Sequence, residues 1–157
     1  AARTPGYPGM TPDLLFALSN ILVLPFWLLM IAAPGWGLTR RIVASPWIAA
    51  APAVLYVTLV APQLLDLLVS LTNPQLAAIA ALLGTPLGAT IAWAHFLTFD
   101  LFVGRWAYLD ARERGLSAWI VSPLLALILL LGPLGFLLYL LARPLRTPSA
   151  VSPGQLQ

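Results

Sequence analysis

The residues LLFALSNILVLPFWLLMIAA, at positions 14–33, decide the fold class of this chain. This run of 20 positions has no charged side chain, and about 20 apolar residues is the length that a helix needs to cross a bilayer. Pro34 and Gly35 follow directly and end the run. Pro25 lies inside it and is expected to kink the helix, because proline removes a backbone hydrogen bond. The stretch therefore predicts a first transmembrane helix that begins near Asp13.

The composition of the whole chain points to the same solvent. Of its 157 residues, 61% are hydrophobic and 8% are charged, whereas a soluble domain carries about 25% charged residues. This number of charged side chains is too small to cover the surface of a protein of this size in water. Lipid is therefore expected to surround most of the chain. All eight cations are arginines, placed mostly at the ends of apolar runs, where lipid headgroups explain them better than a nucleic-acid partner does.

Three more apolar segments complete a predicted all-α fold, a polytopic membrane protein with a bundle of about four transmembrane helices. Helix two is expected over Pro46 to about Leu71, helix three over Leu87 to Tyr108, and helix four over Leu116 to Leu141. Further kinks are predicted at Pro62 and at Gly132-Pro133, because proline cannot continue the helical hydrogen-bond ladder. Helix four is also expected to be broken by Pro123.

The segments between and around these helices are expected to be less regular. Residues 1–12 are predicted to be an extended arm, residues 13–143 the transmembrane domain, and residues 144–157 a Pro- and Ser-rich tail. The stretches around Arg40-Arg41 and from Asp110 to Gly115 are predicted to be loops. Residues 75–84 are apolar but too short to span, so the sequence leaves open whether they form a re-entrant piece or the start of helix three.

The arginines also predict an orientation. The loops with Arg40, Arg41, Arg112 and Arg114 are placed in the cytoplasm by the positive-inside rule, and Arg105 agrees. Both termini would then face the non-cytoplasmic side, although Arg143 and Arg146 argue against it. Because no organelle transit peptide is visible, a bacterial inner membrane, cytoplasmic or photosynthetic, is the expected location.

Helix three carries the residues with chemical potential, His95, Asp100 and Arg105. A charged group at this depth costs roughly 3 kcal/mol on insertion scales, so such residues should face protein and find partners. Asp100 lies about 140° around the helix from His95, and Arg105 as far again, so the three cannot form one cluster on this helix alone. One interpretation is a structural network, with Asp100 paired to an arginine and His95 bonded to Asn20. The other makes His95 and Asp100 an acid–base pair or ligand anchors.

Other side chains have two interpretations as well. Asn20 suits an interhelical hydrogen bond, and Asp66 suits the membrane interface. The aromatic residues suit interface belts and packing, or else Trp93, Phe96, Phe99 and Trp106 form the wall of a groove for a long, flat apolar ligand. The chain has no Cys and one His, so no metal site is expected, and no cofactor is required by the sequence.

Several segments together resemble a known family of integral membrane proteins. They are Val23-Leu-Pro-Phe-Trp27 after Asn20, Thr39-Arg-Arg41, Ala94-His-Phe-Leu-Thr-Phe-Asp-Leu-Phe-Val-Gly-Arg-Trp106, and Asp110-Ala-Arg-Glu-Arg-Gly115. This pattern, from about Leu14 to Arg143, is similar to the abscisic-acid-deficient-four-like family, whose plant members are required for neoxanthin synthesis. The resemblance implies a substrate in the lipid phase and a role in carotenoid or xanthophyll metabolism.

In plants the associated step converts an epoxy-carotenoid to an allenic one, an isomerisation without net redox change. The resemblance therefore implies an isomerase-type enzyme without a redox cofactor, in which His95 and Asp100 are the catalytic residues and Arg105 orients or pairs with Asp100. Five residues are expected to bind the carotenoid-like ligand: Asn20, Trp27, Trp93, Phe99 and Trp106.

Two alternatives stay open at this point. In the first alternative, the chain is a non-catalytic accessory subunit of a larger membrane complex, such as a photosynthetic pigment–protein complex with bound carotenoid or chlorophyll-type pigment. In the second alternative, it is a small transporter in which Asp100 is a proton relay. In each case the partners are the lipid bilayer and, for a subunit, other membrane chains.

Overall fold

The computed structural model describes residues 9–145, and the side chains of residues 9–144. Most of the predicted extended arm (1–12) and of the predicted tail (144–157), with Arg146, lies outside the described residues. Between positions 9 and 145 all regular structure is helical, which confirms the all-α prediction. The α-helices are α1 (Pro12–Ala32), α2 (Gly37–Ala44), α3 (Ala50–Val60), α4 (Leu64–Thr72), α5 (Leu76–Leu83), α6 (Pro86–Glu113), α7 (Ala118–Leu131) and α8 (Pro133–Ala142).

Three helical segments of the described chain are long and apolar enough to cross a membrane. They are Pro12–Ala32, Pro46–Thr72 and Pro86–Glu113. The second is assembled from α3 and α4, with 3₁₀ turns at Pro46–Ala49 and Ala61–Gln63. The second turn contains Pro62, which has no N–H to donate, so the α-helical ladder is interrupted where the sequence predicted a kink.

Two segments predicted to be loops are helical instead. The stretch with Arg40 and Arg41 forms α2, in which Thr39 and Val43 are buried while both arginines are exposed. The charged stretch from Asp110 belongs to α6, which continues to Glu113. Ala, Arg and Glu are good helix formers, so charge alone does not end a helix.

The short apolar stretch at positions 75–84 forms a separate helix. This helix, α5, ends at Leu83, and α6 begins at Pro86. A Cβ atom added to Gly88 would lie only 1.9 Å from the carbonyl oxygen of Leu82. In one continuous helix these residues would be about 9 Å apart along the axis, so the chain turns sharply at Gly84-Thr85 and α5 is not the start of α6.

The predicted fourth helix is also two helices, and neither is long enough to span. The 14 residues of α7 extend about 21 Å, against a hydrocarbon core of about 30 Å. Pro123 lies inside α7 without ending it. The break is at Gly132, where φ is +37°, a left-handed conformation that glycine adopts without steric cost.

Helices α7 and α8 form a hairpin that turns at Gly132. A Cβ on Gly135 would lie 2.2 Å from the backbone nitrogen of Ile128, so the two helices pack back against each other. The turn lies beside Asp100, whereas Arg143, at the far end of α8, bonds to Asp110. The predicted fourth transmembrane helix is therefore replaced by a hairpin that follows about 15 Å of α6 and returns.

The contacts divide the chain into two compact units. Of the described residues, the first comprises 9–25 and Trp47–Phe99, and the second Phe26–Pro46 and 100–145. In the first unit, Leu15, Leu59 and Ala94 form a buried cluster against which half-buried Leu55, Tyr56, Leu87 and Ile91 pack. In the second, the largest fully buried side chains include Trp27, Tyr108 and Tyr139.

The hairpin also changes the predicted orientation. Because α8 ends beside Asp110, Arg143 lies at the same end of the second unit as Arg114. The arginines of α6 and the end of α8 are therefore on one side, as the positive-inside rule prefers. The prediction that both termini face the opposite, non-cytoplasmic side is wrong for the C-terminal end of the described chain.

Candidate functional site

The first unit contains a cavity of about 390 Å³. Its wall is mostly apolar, with side chains from the segments α3 to α6, but it includes five side chains that can form hydrogen bonds. The apolar residues are Leu67, Leu71, Ala78, Ile79, Leu82, Leu83, Ile91, Ala92 and Phe96, and the polar ones are Tyr56, Gln63, Asp66, Ser70 and His95. An apolar cavity with a few polar groups is the usual form of a small-molecule site.

His95 lies on this wall within a group of aromatic rings. Its imidazole contacts Tyr56 edge-on at a centroid distance of 5.3 Å, and the rings of Phe96 at 6.1 Å and Phe99 at 4.8 Å. Among residues 9–145 neither imidazole nitrogen has a hydrogen-bond partner, and the Tyr56 hydroxyl has none either. Both groups can therefore donate to or accept from a ligand in the cavity.

A second polar group lies further along the same wall. Asp66, Gln63 and Ser70 all line the cavity. The Gln63 amide donates to the Leu59 carbonyl at 3.2 Å, and the Ser70 hydroxyl donates to the Asp66 carbonyl at 2.9 Å. The Asp66 carboxylate and the Gln63 amide oxygen are left to accept hydrogen bonds from a ligand.

The sequence analysis placed Asp66 at the interface and did not identify Tyr56, Gln63 or Ser70. A signal for them exists, since positions 56, 63 and 70 are polar and seven residues apart in a mostly apolar segment. Residues seven apart lie within about 20° of each other on a helix. A row of polar side chains along one face of a transmembrane helix indicates a face directed toward protein or ligand.

Asn20 has a different partner from the one predicted. The Trp93 indole N–H donates to the Asn20 side-chain oxygen at 3.2 Å, and the Asn20 amide donates to the Phe16 carbonyl at 2.8 Å. The Phe16 ring stacks on Trp93 at 5.5 Å. The expected hydrogen bond between His95 and Asn20 is therefore wrong, because Asn20 bonds to Trp93 and Phe16 instead.

Asp100 and Arg105 belong to the second unit and do not pair there. The Arg105 guanidinium donates to the backbone carbonyls of Val43, Ala44 and Ser45, at distances of 2.5–3.3 Å. These carbonyls lie at the C-terminal end of α2, which a cation caps favourably. The predicted pairing of Arg105 with Asp100 is therefore wrong.

Asp100 itself is half-buried beside the turn of the hairpin. A Cβ on Gly132 would lie 2.9 Å from one of its carboxylate oxygens, so a larger residue there would displace the carboxylate. Within residues 9–145 the ion pairs of the aspartates are those of Asp110 with Arg114 and Arg143. The expected ion pair of Asp100 with an arginine is not formed in this part of the chain.

The charged cluster of the second unit is centred on Asp110. One of its carboxylate oxygens accepts from Arg114 at 2.9 Å, from Arg143 at 2.9 Å and from the Tyr139 hydroxyl. The other accepts from Arg143 at 2.9 Å, and these hydrogen bonds raise the pKa of the Arg143 guanidinium. A carboxylate that is fully occupied by protein donors is a structural group, and it fixes the end of α8 to α6.

The remaining predicted ligand residues make protein contacts. Trp27 is buried against Gly104, where a Cβ would meet its ring at 2.3 Å, and its indole N–H has no hydrogen-bond partner in the described chain. Trp106 packs edge-on against Phe136 and Tyr139, both at 5.7 Å. A ligand role for Trp27 and Trp106 stays a prediction, whereas Phe99 contacts His95 of the cavity wall.

Comparisons with known proteins agree with the resemblance in the sequence. The profile of the ABA4-like family, described as ABA DEFICIENT 4-like, matches residues 14–139. Protein ABA DEFICIENT 4, chloroplastic, from Arabidopsis thaliana is 33% identical over 128 residues, which cover 76% of this chain and 56% of that protein. The chain thus spans little more than half the length of this relative. No solved structure matches.

The relative also corrects the expected location. That relative is a chloroplastic plant protein, so the prediction of a bacterial inner membrane is wrong. The family is related to carotenoid and xanthophyll metabolism, including neoxanthin. Since the profile matches most of the chain, the protein belongs to the ABA4-like family.

Proposed function

We propose that the protein binds the oxygenated end group of a carotenoid in the cavity of the first unit and isomerises an epoxide there without a redox cofactor. The observation that carries this proposal is an apolar cavity whose wall includes the unpaired imidazole of His95. Family membership supports the class of ligand, and the cavity supports the place where it binds.

The size of the cavity limits how much of the ligand it takes. A volume of about 390 Å³ lies near the lower end of the range for small-molecule sites, roughly 300–1,000 Å³. A carotenoid is about as long as the hydrocarbon core is thick, about 30 Å, so it cannot fit completely. The cavity therefore takes one ring, while the polyene chain lies against the apolar surface or in lipid.

The chemistry needs one acid and one base. The acid protonates the epoxide oxygen as its C–O bond opens, and the base removes a proton from the carbon next to the ring. Neutral imidazole accepts a proton at one nitrogen, so His95 is suited to act as the base. Asp100, predicted as its partner, belongs to the second unit and does not line this cavity.

Replacing His95 with Gln tests this function. The variant is expected to convert an epoxy-carotenoid at least about 100-fold more slowly, because a positioned acid–base group contributes about 10²–10⁴ in rate, while it still binds the pigment. The measurement is chromatographic analysis of products formed by the full chain in lipid vesicles.

Thr98→Val is the matched control, because Thr98 is also half-buried on α6 but bonds its own helix at Ala94. Its conversion rate should equal that of the wild type. If His95→Gln converts the epoxy-carotenoid at the wild-type rate, His95 is not the base. No conversion by the wild type, together with stable co-purification of other membrane chains, would instead support an accessory subunit.

A further inference from the structure

We infer that Tyr56 is the proton donor that works with His95 in the cavity, an inference that rests on the proposed isomerisation. The two rings are in direct contact, with centroids 5.3 Å apart, and both line the same cavity. Tyr56 is on α3 and His95 on α6, so they face the ligand from two different helices of the first unit.

The donor must lie close to the base, because the epoxide oxygen and the proton to be removed are only a few bonds apart in the substrate. Asp66 is ten residues beyond Tyr56 in the same helical segment, a rise of about 15 Å. Ser70 is further along, and its hydroxyl proton is already given to the Asp66 carbonyl. Of the polar side chains that line the cavity, Tyr56 is therefore the acid adjacent to His95.

The surroundings hold the phenol in position for this role. Tyr56 packs against the buried cluster of Leu15, Leu59 and Ala94, which fixes the ring. Its hydroxyl has no hydrogen-bond partner among residues 9–145, although a Tyr O–H usually finds one when its ring is packed in a protein. An epoxide oxygen in the cavity would supply the missing acceptor.

The step balances without any further reactant. The Tyr56 O–H proton passes to the epoxide oxygen, and one epoxide C–O bond breaks to leave an alcohol. His95 takes the proton from the adjacent chain carbon, and the electron pair of that C–H bond forms the new double bond of the allene. The imidazolium then returns a proton to the phenolate, so the enzyme is restored and the product is an isomer of the substrate.

Tyr56→Phe removes the proton and keeps the ring that packs against the cluster. The expected result is a loss of at least about 100-fold in the rate of epoxy-carotenoid conversion, with pigment affinity lowered by no more than about tenfold, the effect of one lost hydrogen bond. Thr58→Val, on the exposed side of the same helix, is the control and should keep the wild-type rate. Thermal unfolding of all variants in detergent checks that Tyr56→Phe is folded.

The outcomes separate this inference from the proposed function. Wild-type conversion by Tyr56→Phe, with conversion lost in His95→Gln, would overturn the assignment of Tyr56 and leave the proposed isomerisation standing. Equal loss in both variants, with pigment binding retained, supports the pair. An inactive wild-type chain would overturn both.

Discussion

Replacing Gly88, the glycine of the cavity wall, with Ala is expected to destabilise the protein strongly. A Cβ at this position would lie 1.9 Å from the Leu82 carbonyl oxygen and 2.8 Å from its carbon. Both are backbone atoms, so no side-chain rotation relieves the contact and α5 must move away from α6. Overpacking of this kind costs about 1–3 kcal/mol or more.

The same displacement should open the cavity, because Leu82, Leu83 and Gly88 all line it. The measurement is the thermal unfolding temperature of the full chain in detergent, together with pigment affinity. Gly35→Ala is the matched control, since a Cβ there meets nothing within 4 Å. Equal unfolding temperatures for Gly88→Ala and Gly35→Ala would show that α5 and α6 are not packed as described.

The second large effect is expected for Asp110→Asn. The Asp110 side chain is 12% exposed and accepts hydrogen bonds from Arg114, Arg143 and Tyr139. The amide keeps the shape but loses the charge, and one of its two acceptor positions becomes a donor that faces guanidinium groups. We expect a loss of about 1–3 kcal/mol, as for other disrupted, partly buried hydrogen-bond networks.

Glu113→Gln is the control for this variant, because Glu113 is exposed and lies in the same last turn of α6. Its unfolding temperature should stay within the error of the wild type. Protease digestion gives a second readout, since release of α8 from Asp110 should make the chain near Arg143 easier to cleave. Equal stability of Asp110→Asn and Glu113→Gln would mean that the hairpin is held by apolar packing alone.

The sequence is sufficient to predict the membrane class and two of the long spans closely, because uninterrupted apolar length is set by the bilayer itself. It is not sufficient for the hairpin. An apolar run from Leu116 to Leu141 is long enough to span, and only the left-handed turn at Gly132 and its approach to Asp100 make it return. A conformation of one glycine cannot be deduced from the hydropathy of its neighbours.

The candidate site was predicted in part. His95 is found from sequence because an ionisable group within an apolar span is costly and therefore conspicuous. Its neighbour Tyr56 is not found, since tyrosine is common at membrane interfaces and its contact with His95 depends on how α3 packs against α6. The partners of Arg105 could not be predicted either, because they are backbone carbonyls of α2. Every residue has a backbone carbonyl, so the sequence does not indicate which ones accept from Arg105.

The most direct test of the cavity as the carotenoid site is to fill it. Ala92 lines the cavity from α6, whereas Ala89 is exposed on the same helix and does not line it. Pigment affinity of the full chain in vesicles is measured by induced circular dichroism of an epoxy-carotenoid. For Ala92→Phe it should fall at least about tenfold, or about 1.4 kcal/mol. For Ala89→Phe it should stay within about twofold of the wild type. Equal affinity of the two variants would contradict the assignment of this cavity as the binding site.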